Sequence, residues 1–199
     1  MSRDYSPIVG LLPLSLIVLV AAGAVAAVAR DAPRAWIEGV RVEVVEQQVH
    51  LSYRLANAFD ENLRRRIQSG LPTGLVFDFE LLRARKGWFN KTVASGTMQV
   101  VAMYNAVTRE YLINYKHDGN LIESRVVREV EQLRAAITEF SGLPVFSVES
   151  RAGERLLVRL RAELGTRTLL FFIPTTLTTE WAESRIFVVG RNGQGEAGE

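Results

Sequence analysis

The sequence contains no cysteine among its 199 residues. Disulfide bonds, thiolate-bound metals and a cysteine nucleophile are therefore excluded together. Histidine is nearly absent as well, because only His50 and His117 occur. His50 falls on the polar side of a predicted strand and His117 in a predicted turn. Since neither has converging polar partners in the pattern, both are interpreted as surface residues rather than as catalytic groups or metal ligands.

Neither sign of charge is in excess. The chain has 24 Lys and Arg residues against 22 Asp and Glu residues. Residues 1–29 hold one of each sign, Arg3 and Asp4, which leaves 23 against 21 in the remainder. A nucleic-acid-binding domain usually carries a basic excess on one face. The near balance therefore predicts no nucleic-acid partner.

Known catalytic and metal-binding signatures are also missing. The sequence has no H-x-x-x-H motif, no acidic calcium-binding loop and no G-x-S-x-G turn. Asp78 and Glu80 lie on the same side of one predicted strand, about 7 Å apart by the strand rise. Any solvent-facing strand side gives this spacing. The sequence thus predicts a protein that is not an enzyme, with no catalytic residue, no cofactor and no metal.

Only one long hydrophobic run was found, from Ile8 to Ala29, and it contains no charged residue. A bilayer core requires about 20 apolar residues in helical form, so the run is long enough for a membrane anchor. Its second part is rich in Ala and Gly, and Ala27-Val28-Ala29 fits a signal-peptide cleavage site. Residues 1–29 are therefore predicted to be either a transmembrane helix, with residues 8–29 in the membrane, or a cleaved signal peptide. A buried helix is disfavoured because all-round apolar helices of this length are unusual in small proteins.

Both alternatives export the rest of the chain. Exported eukaryotic domains usually contain disulfide bonds, whereas this chain has no cysteine. The combination favours a bacterial cell envelope. The chain is expected either to be anchored in the inner membrane and face the periplasm, or to be periplasmic after signal cleavage.

Residues 37–189 are predicted to form a single β-rich domain, after a linker at 30–36 and before a disordered tail at 190–199. Apolar and polar residues alternate over 39–45 and 49–55, which predicts a β-hairpin. His117-Asp118-Gly119-Asn120 predicts a second tight turn, because Asp and Gly accept positive φ. The apolar run Leu169–Pro174 is too short to cross a membrane and predicts a central buried strand.

Two short helices interrupt the strands. Asp60 is predicted to cap the first, which ends at Gly70 and Pro72. Ser124 is predicted to cap the second, which ends at Gly142 and Pro144 and has an apolar stripe of Val126, Val130, Leu133 and Ile137. The predicted fold is therefore mainly β, an antiparallel sandwich or barrel-like sheet with two short helices, preceded by the N-terminal apolar helix.

Three aromatic residues are the candidates for an interaction site. Trp88 and Phe89 lie together in a predicted connection, and Trp181 follows the last apolar run. Loop aromatics often bind a partner. The alternative is that they fold back and cover an end of the sandwich.

The order of several short motifs resembles the DUF4390 family of bacterial proteins. The motifs run over about residues 36–189 and comprise Ile37–Val42, Ser69-Gly70-Leu71-Pro72, Trp88-Phe89, Val93-Ala94, Tyr104–Tyr111 and Trp181. The chain departs from the family where Thr179-Glu180 precedes the tryptophan, since the family tends to have Ser or Asp there. The resemblance implies an envelope location and a shared fold, hints at envelope signalling, and supplies no catalytic residue.

Two hypotheses for function follow. The first is a non-enzymatic envelope protein whose β-rich domain acts as an interaction or accessory module for another envelope protein. The second is a carrier of an apolar or lipid ligand, in which the faces of Phe77, Phe79, Phe171 and Phe172 line a cavity instead of filling a core. A filled core around these side chains would count against the carrier.

Overall fold

A computed structural model of the chain describes residues 34–87, 89–149, 151–169, 173–190 and 195–197. No helix within these ranges is long and apolar enough to cross a membrane. The predicted signal or anchor, most of the linker and Trp88 lie outside the described residues. The compact unit considered below comprises described residues from Arg34 onward.

The described residues contain two helices and twelve strands. In chain order they are β1 (Trp36–Val45), β2 (Gln48–Ala56), α1 (Glu61–Gln68), β3 (Thr73–Arg83), β4 (Lys91–Asn105), β5 (Glu110–His117), β6 (Asn120–Val127), α2 (Val130–Thr138), β7 (Glu139–Ser147), β8 (Arg155–Leu169), β9 (Ile173–Thr178), β10 (Ala182–Glu183), β11 (Phe187–Val189) and β12 (Gly195–Ala197).

The strands form two antiparallel sheets that do not close into a barrel. Sheet A has the order β1-β2-β7. Sheet B follows the path β12-β11-β8-β3-β4-β5-β6, and β9 and β10 also pair with β8. The mainly β prediction with two short helices is confirmed, and the open sheets favour the sandwich over the barrel.

The core lies between the two sheets and follows from the alternation in the sequence. Alternate residues of β2, of β3 and of the Leu156–Ala162 part of β8 are buried, because successive side chains of a strand point to opposite faces. Tyr53 of sheet A meets Phe77 of sheet B with ring centroids 5.4 Å apart. Phe140 of β7 stacks on Tyr53 at 4.7 Å and contacts Phe77 edge-on at 5.0 Å. These rings join the two sheets across the core.

The predicted turns and the first helix cap are confirmed. The first hairpin turns at Glu46 and Gln47, with φ of 48° and 63°. The β5–β6 hairpin turns at Asp118 and Gly119, with φ of 47° and 83°, as expected for a two-residue turn that requires positive φ. Asp60 Oδ1 accepts a hydrogen bond of 2.7 Å from the Leu63 N–H at the start of α1.

The predicted bounds of the second helix were wrong. Ser124 lies in β6, and α2 begins only at Val130, after Glu129. The Glu129 N–H donates to Gln132 Oε1 at 3.5 Å, which supports the later start. The helical spacing from Val126 was misleading because Val126 pairs with β5 and is exposed.

The end of that helix was also placed too late. Helix α2 gives way to β7 at Glu139, so Gly142 and Pro144 lie within a strand rather than at a helix stop. The strand is at the edge of sheet A, where a proline lacks no essential hydrogen bond.

Two predictions near the C-terminus are corrected as well. The apolar run from Leu169 does not form one central strand, because β8 ends at Leu169 and β9 begins at Ile173, with these two residues paired; residues 170–172 lie outside the described residues. The predicted disordered tail contains β12, which pairs with β11 through backbone groups and so requires no apolar pattern.

Candidate functional site

An open groove of about 1100 Å³ lies where sheet A, α2 and the end of β6 come together. Its walls come from five elements in two segments of the sequence, β1–β2 and β6–α2–β7. The lining residues are Glu38, Gly39 and Arg41 of β1, Ser52, Tyr53 and Arg54 of β2, Arg125, Val126 and Val127 of β6, Gln132, Ala135 and Ala136 of α2, and Glu139, Phe140 and Ser141 of β7.

One wall of the groove is held by an ion pair between neighbouring strands. Glu38 faces Arg54 across β1 and β2, and its carboxylate accepts from Arg54 Nε at 2.8 Å and from Trp36 Nε1 at 2.9 Å. The hydrogen bond from Arg54, followed by that from Trp36, lowers the pKa of Glu38, and the same contact raises the pKa of Arg54. Both groups are thus charged at neutral pH.

Further cations lie on both walls of the groove. Arg125 pairs with Glu123 at 2.8 Å, and its guanidinium lies 5.3 Å from the centroid of the Tyr115 ring. Arg41 on β1 is exposed and forms no ion pair or side-chain hydrogen bond with any residue that the structure describes. The groove therefore offers a free guanidinium together with paired charges.

The aromatic pair Tyr53 and Phe140 gives the groove its apolar part. The Tyr53 hydroxyl is buried and has no hydrogen-bond partner among the described residues. Burial raises the pKa of Tyr53 well above its ordinary value, so the hydroxyl is a neutral donor. Buried polar groups are normally satisfied, and an unsatisfied one beside a groove is a feature typical of functional sites.

Trp181, a predicted interaction residue, lies elsewhere, against the outer face of sheet B. Its ring centroid is 4.6 Å from the guanidinium carbon of Arg159 and 4.7 Å from that of Arg161. Arg159 pairs with Glu80 at 2.8 Å and Arg161 with Asp78 at 2.9 Å. The half-buried indole thus covers two arginines that are themselves neutralised, beside a smaller depression of about 400 Å³.

The predicted interaction residues are not brought into the groove. Phe89, in the β3–β4 connection, is 96% exposed, while its neighbour Trp88 is outside the described residues. Trp181 packs on the side chains of Arg159 and Arg161 on the outer face of sheet B. Neither Phe89 nor Trp181 is among the described residues that line the groove.

His50, Asp78 and Glu80 lie on strands as predicted, whereas His117 ends β5 instead of lying in the turn. His50 Nδ1 is 3.0 Å from the Gly142 carbonyl oxygen, and His117 Nε2 is buried and 3.8 Å from Asp118 Oδ2. Asp78 and Glu80 each pair with an arginine of β8. In the part of the chain that the structure describes, no three His, Asp or Glu side chains are grouped as metal ligands.

Comparison with known families supplies one match. The model of a family described as a domain of unknown function, DUF4390, matches residues 32–184. The chain belongs to the DUF4390 family. No curated protein and no solved structure matches it.

Two of the motifs that suggested this DUF4390 resemblance contact each other in the fold. Gly70, from the segment after α1, has φ of 79°, and a Cβ there would lie 3.4 Å from the Tyr104 carbonyl oxygen. Tyr104 and Tyr111 flank the β4–β5 turn with ring centroids 4.9 Å apart, and Gln68 donates to the Tyr111 hydroxyl at 3.2 Å. These motif residues fix α1 against β4 and β5.

The final motif position also has a structural role. Thr179, two residues before Trp181, is buried. Its hydroxyl accepts from the Ala162 N–H at 2.9 Å and donates to the Glu180 carbonyl oxygen at 3.0 Å. A serine or aspartate could accept the same backbone hydrogen bond. These motif positions thus have structural roles, whereas the Ile37–Val42 motif contributes Glu38, Gly39 and Arg41 to the groove. The remaining groove residues were not indicated by sequence patterns.

Proposed function

We propose that this protein is a non-enzymatic component of the bacterial envelope whose β-rich domain binds an extended segment of a partner protein in the groove. The export segment at residues 8–29 supports the location. The observation that carries the proposed activity is the groove itself, which is open, about 1100 Å³ in volume, and lined by both charged and apolar side chains.

This lining suits a peptide better than a hydrocarbon. An extended chain presents backbone donors and acceptors together with mixed side chains, and peptide sites combine apolar pockets with polar groups. The groove provides aromatic surface at Phe140, small side chains at Ala135 and Ala136, and the free guanidinium of Arg41. An acidic side chain or a terminal carboxylate of the partner would match Arg41.

The competing function is a carrier of an apolar ligand. It required the Phe77 and Phe79 faces to line a cavity, but both side chains are fully buried and in ring contact with Tyr53. Phe171 and Phe172 lie outside the described residues. A filled aromatic cluster leaves no space for a ligand at Phe77, so the packing favours the interaction module.

The test is affinity capture of the full-length chain from membranes, with two tryptophan substitutions compared with the natural sequence. Ala135→Trp fills the groove from the half-buried position on α2. Val107→Trp adds the same side chain at a 92% exposed position in the β4–β5 turn. A protein partner should be enriched at least about tenfold less by A135W, a loss of about 1.4 kcal/mol in binding, while V107W captures it normally.

Two results would contradict the proposal. Equal capture of a partner by all three chains would place its binding outside the groove. Enrichment of extracted lipid without any protein would support the carrier instead. Thermal unfolding of A135W and V107W shows whether both substituted chains are folded before capture is compared.

A further inference from the structure

Strand β6 is an open edge of sheet B. Within the described residues it pairs only with β5, and every residue from Asn120 to Val126 is exposed. Three of these are large aliphatic side chains, Leu121, Ile122 and Val126, with exposed fractions of 59%, 52% and 56%. An exposed apolar edge strand offers unpaired backbone groups to another strand.

The usual protections of an edge are largely missing from β6. Natural edges are blocked by proline, lysine or bulges, and β6 has no proline and no lysine. Its register shift against β5 occurs at Ile122, next to the turn, and the pairing is regular from Glu123 to Val127. Most of the edge can therefore accept a strand.

The charges of β6 are arranged symmetrically about Ser124. Glu123 and Arg125 flank it, with side chains that are 51% and 49% exposed. If two copies of β6 pair in antiparallel fashion about Ser124, Glu123 of each copy faces Arg125 of the other, on the same side of the sheet. Opposite charges that face each other across strands stabilise the pair, whereas like charges destabilise it.

The apolar residues of β6 show the same symmetry. In this register Ile122, at the register shift, comes opposite Val126 of the second copy. Shifting the register by one residue would place Glu123 opposite Val126 and Ser124 opposite Arg125. Only the register centred on Ser124 matches charge with opposite charge and aliphatic with aliphatic.

We propose that β6 is a homodimer interface, in which two copies of this chain pair their β6 strands antiparallel about Ser124 and join their B sheets. The second copy is chosen as the occupant because the strand is complementary to itself in both charge and apolarity. This inference goes beyond the proposed binding in the groove and does not depend on it, although Arg125 and Val126 belong to both surfaces. The paired segment is short, so the dimer should dissociate reversibly on dilution.

The first experiment is charge reversal followed by mixing, read by sedimentation velocity of the full-length chain in detergent. E123R puts two arginines at the facing positions, and R125E puts two glutamates there. Each variant alone should be monomeric at concentrations where the natural chain dimerises. An equimolar mixture should recover the dimer, because every facing pair is then opposite in charge. If the substitutions acted only by breaking the Glu123–Arg125 ion pair within each chain, mixing the two variants would not restore the dimer.

The second experiment determines the register by cross-linking. The chain has no cysteine, so S124C carries the only thiol. Facing residues of antiparallel strands have Cα atoms about 4.5–5.5 Å apart, within the range that a disulfide spans. Under mild oxidation S124C should form a covalent dimer at least about tenfold faster than V107C, whose thiol lies in an exposed turn; the solvent exposure of both controls for thiol reactivity.

Several outcomes would overturn the proposal. The natural chain could stay monomeric up to several hundred micromolar. The charge-reversal variants could each dimerise as well as the natural chain, or S124C and V107C could cross-link at equal rates. Cross-linking of S124C to a different protein in membranes, without a covalent homodimer, would assign the edge to a foreign strand. If the chains associate non-specifically, the mixture and the separate variants should dimerise to the same extent, which would also contradict the proposal.

Discussion

The outer face of sheet B and the groove are both charged, but they differ in how fully their polar groups are paired within the chain. On sheet B, Asp78 and Glu80 each bind an arginine, and Trp181 covers both guanidinium groups. In the groove, Arg41 and the Tyr53 hydroxyl have no partner among the described residues. The polar groups of the first surface are paired within the chain, while the groove has one exposed and one buried polar group without a described partner.

This difference separates stabilising residues from binding residues. A charged group that is already paired and covered contributes to folding, and truncating it leaves a partner exposed or unpaired. An unpaired group contributes little to stability, and removing it should affect only what binds there. Trp181 was predicted as an interaction residue because it is aromatic, but its contacts assign it to the stabilising class.

The largest effect is expected from Trp181→Ala. The substitution removes two cation–π contacts and the cover over Arg159 and Arg161, which together should lower the free energy of unfolding by about 2 kcal/mol. Phe89→Ala is the matched control, because a side chain that is 96% exposed should change stability by less than about 0.5 kcal/mol. Chemical denaturation of both variants measures the difference. Equal losses of unfolding free energy in the two variants would show that Trp181 stabilises the fold no more than the exposed Phe89 does.

A smaller effect is expected from a matched pair of Tyr→Phe substitutions. The Tyr115 hydroxyl donates to the Ala136 carbonyl oxygen at 2.8 Å in a buried setting, so Tyr115→Phe should cost about 1–2 kcal/mol. The Tyr53 hydroxyl is equally buried but has no partner, so Tyr53→Phe should be neutral or stabilise by up to about 1 kcal/mol.

Denaturant midpoints of the two Tyr→Phe variants test this contrast directly. If Tyr53→Phe destabilises as much as Tyr115→Phe, the Tyr53 hydroxyl is satisfied in the folded protein and no longer marks the groove. If it stabilises, capture of the proposed partner by this variant then shows whether the hydroxyl serves binding.

The sequence predicted features that depend on neighbours along the chain. The first hairpin, the Asp118-Gly119 turn and the Asp60 cap were correct because alternation, turn chemistry and capping act over a few residues. The helix predicted from Ser124 was wrong because the local spacing at Val126 fits both a helical stripe and the end of β6. The pairing of β6 with β5 decides between the two, and that pairing cannot be read from the local pattern.

The groove could not be predicted because it depends on which distant strands become neighbours. The outer face of sheet B shows the same dependence, because Asp78 and Arg161 are 83 positions apart and pair only where β3 lies beside β8. Likewise Arg54 meets Glu139 only through the β2–β7 pairing. The polar side of the first hairpin was visible as a solvent-facing surface. Nothing in its spacing indicated that α2 and β6 would build a second wall opposite to it.

The smallest effect concerns the pH dependence of the groove wall. The Arg54 hydrogen bond lowers the pKa of Glu38 in the folded protein, so the folded state binds protons at this carboxylate less readily than the unfolded state. Its stabilising contribution is therefore present above the ordinary glutamate pKa and is lost as the pH falls through the lowered value. Because the pair is on the surface, the contribution is small and decreases with added salt.

Glu38→Gln measures this contribution, with Glu46→Gln in the first hairpin turn as the control. The stability difference between the natural chain and E38Q should be greatest at neutral pH and low salt, and it should vanish once the carboxylate is protonated. NMR titration of the Glu38 carboxyl carbon gives the pKa independently. A Glu38 pKa at or above the ordinary glutamate value would mean that Arg54 is not held in the wall, and the groove would then have two free guanidinium groups rather than one.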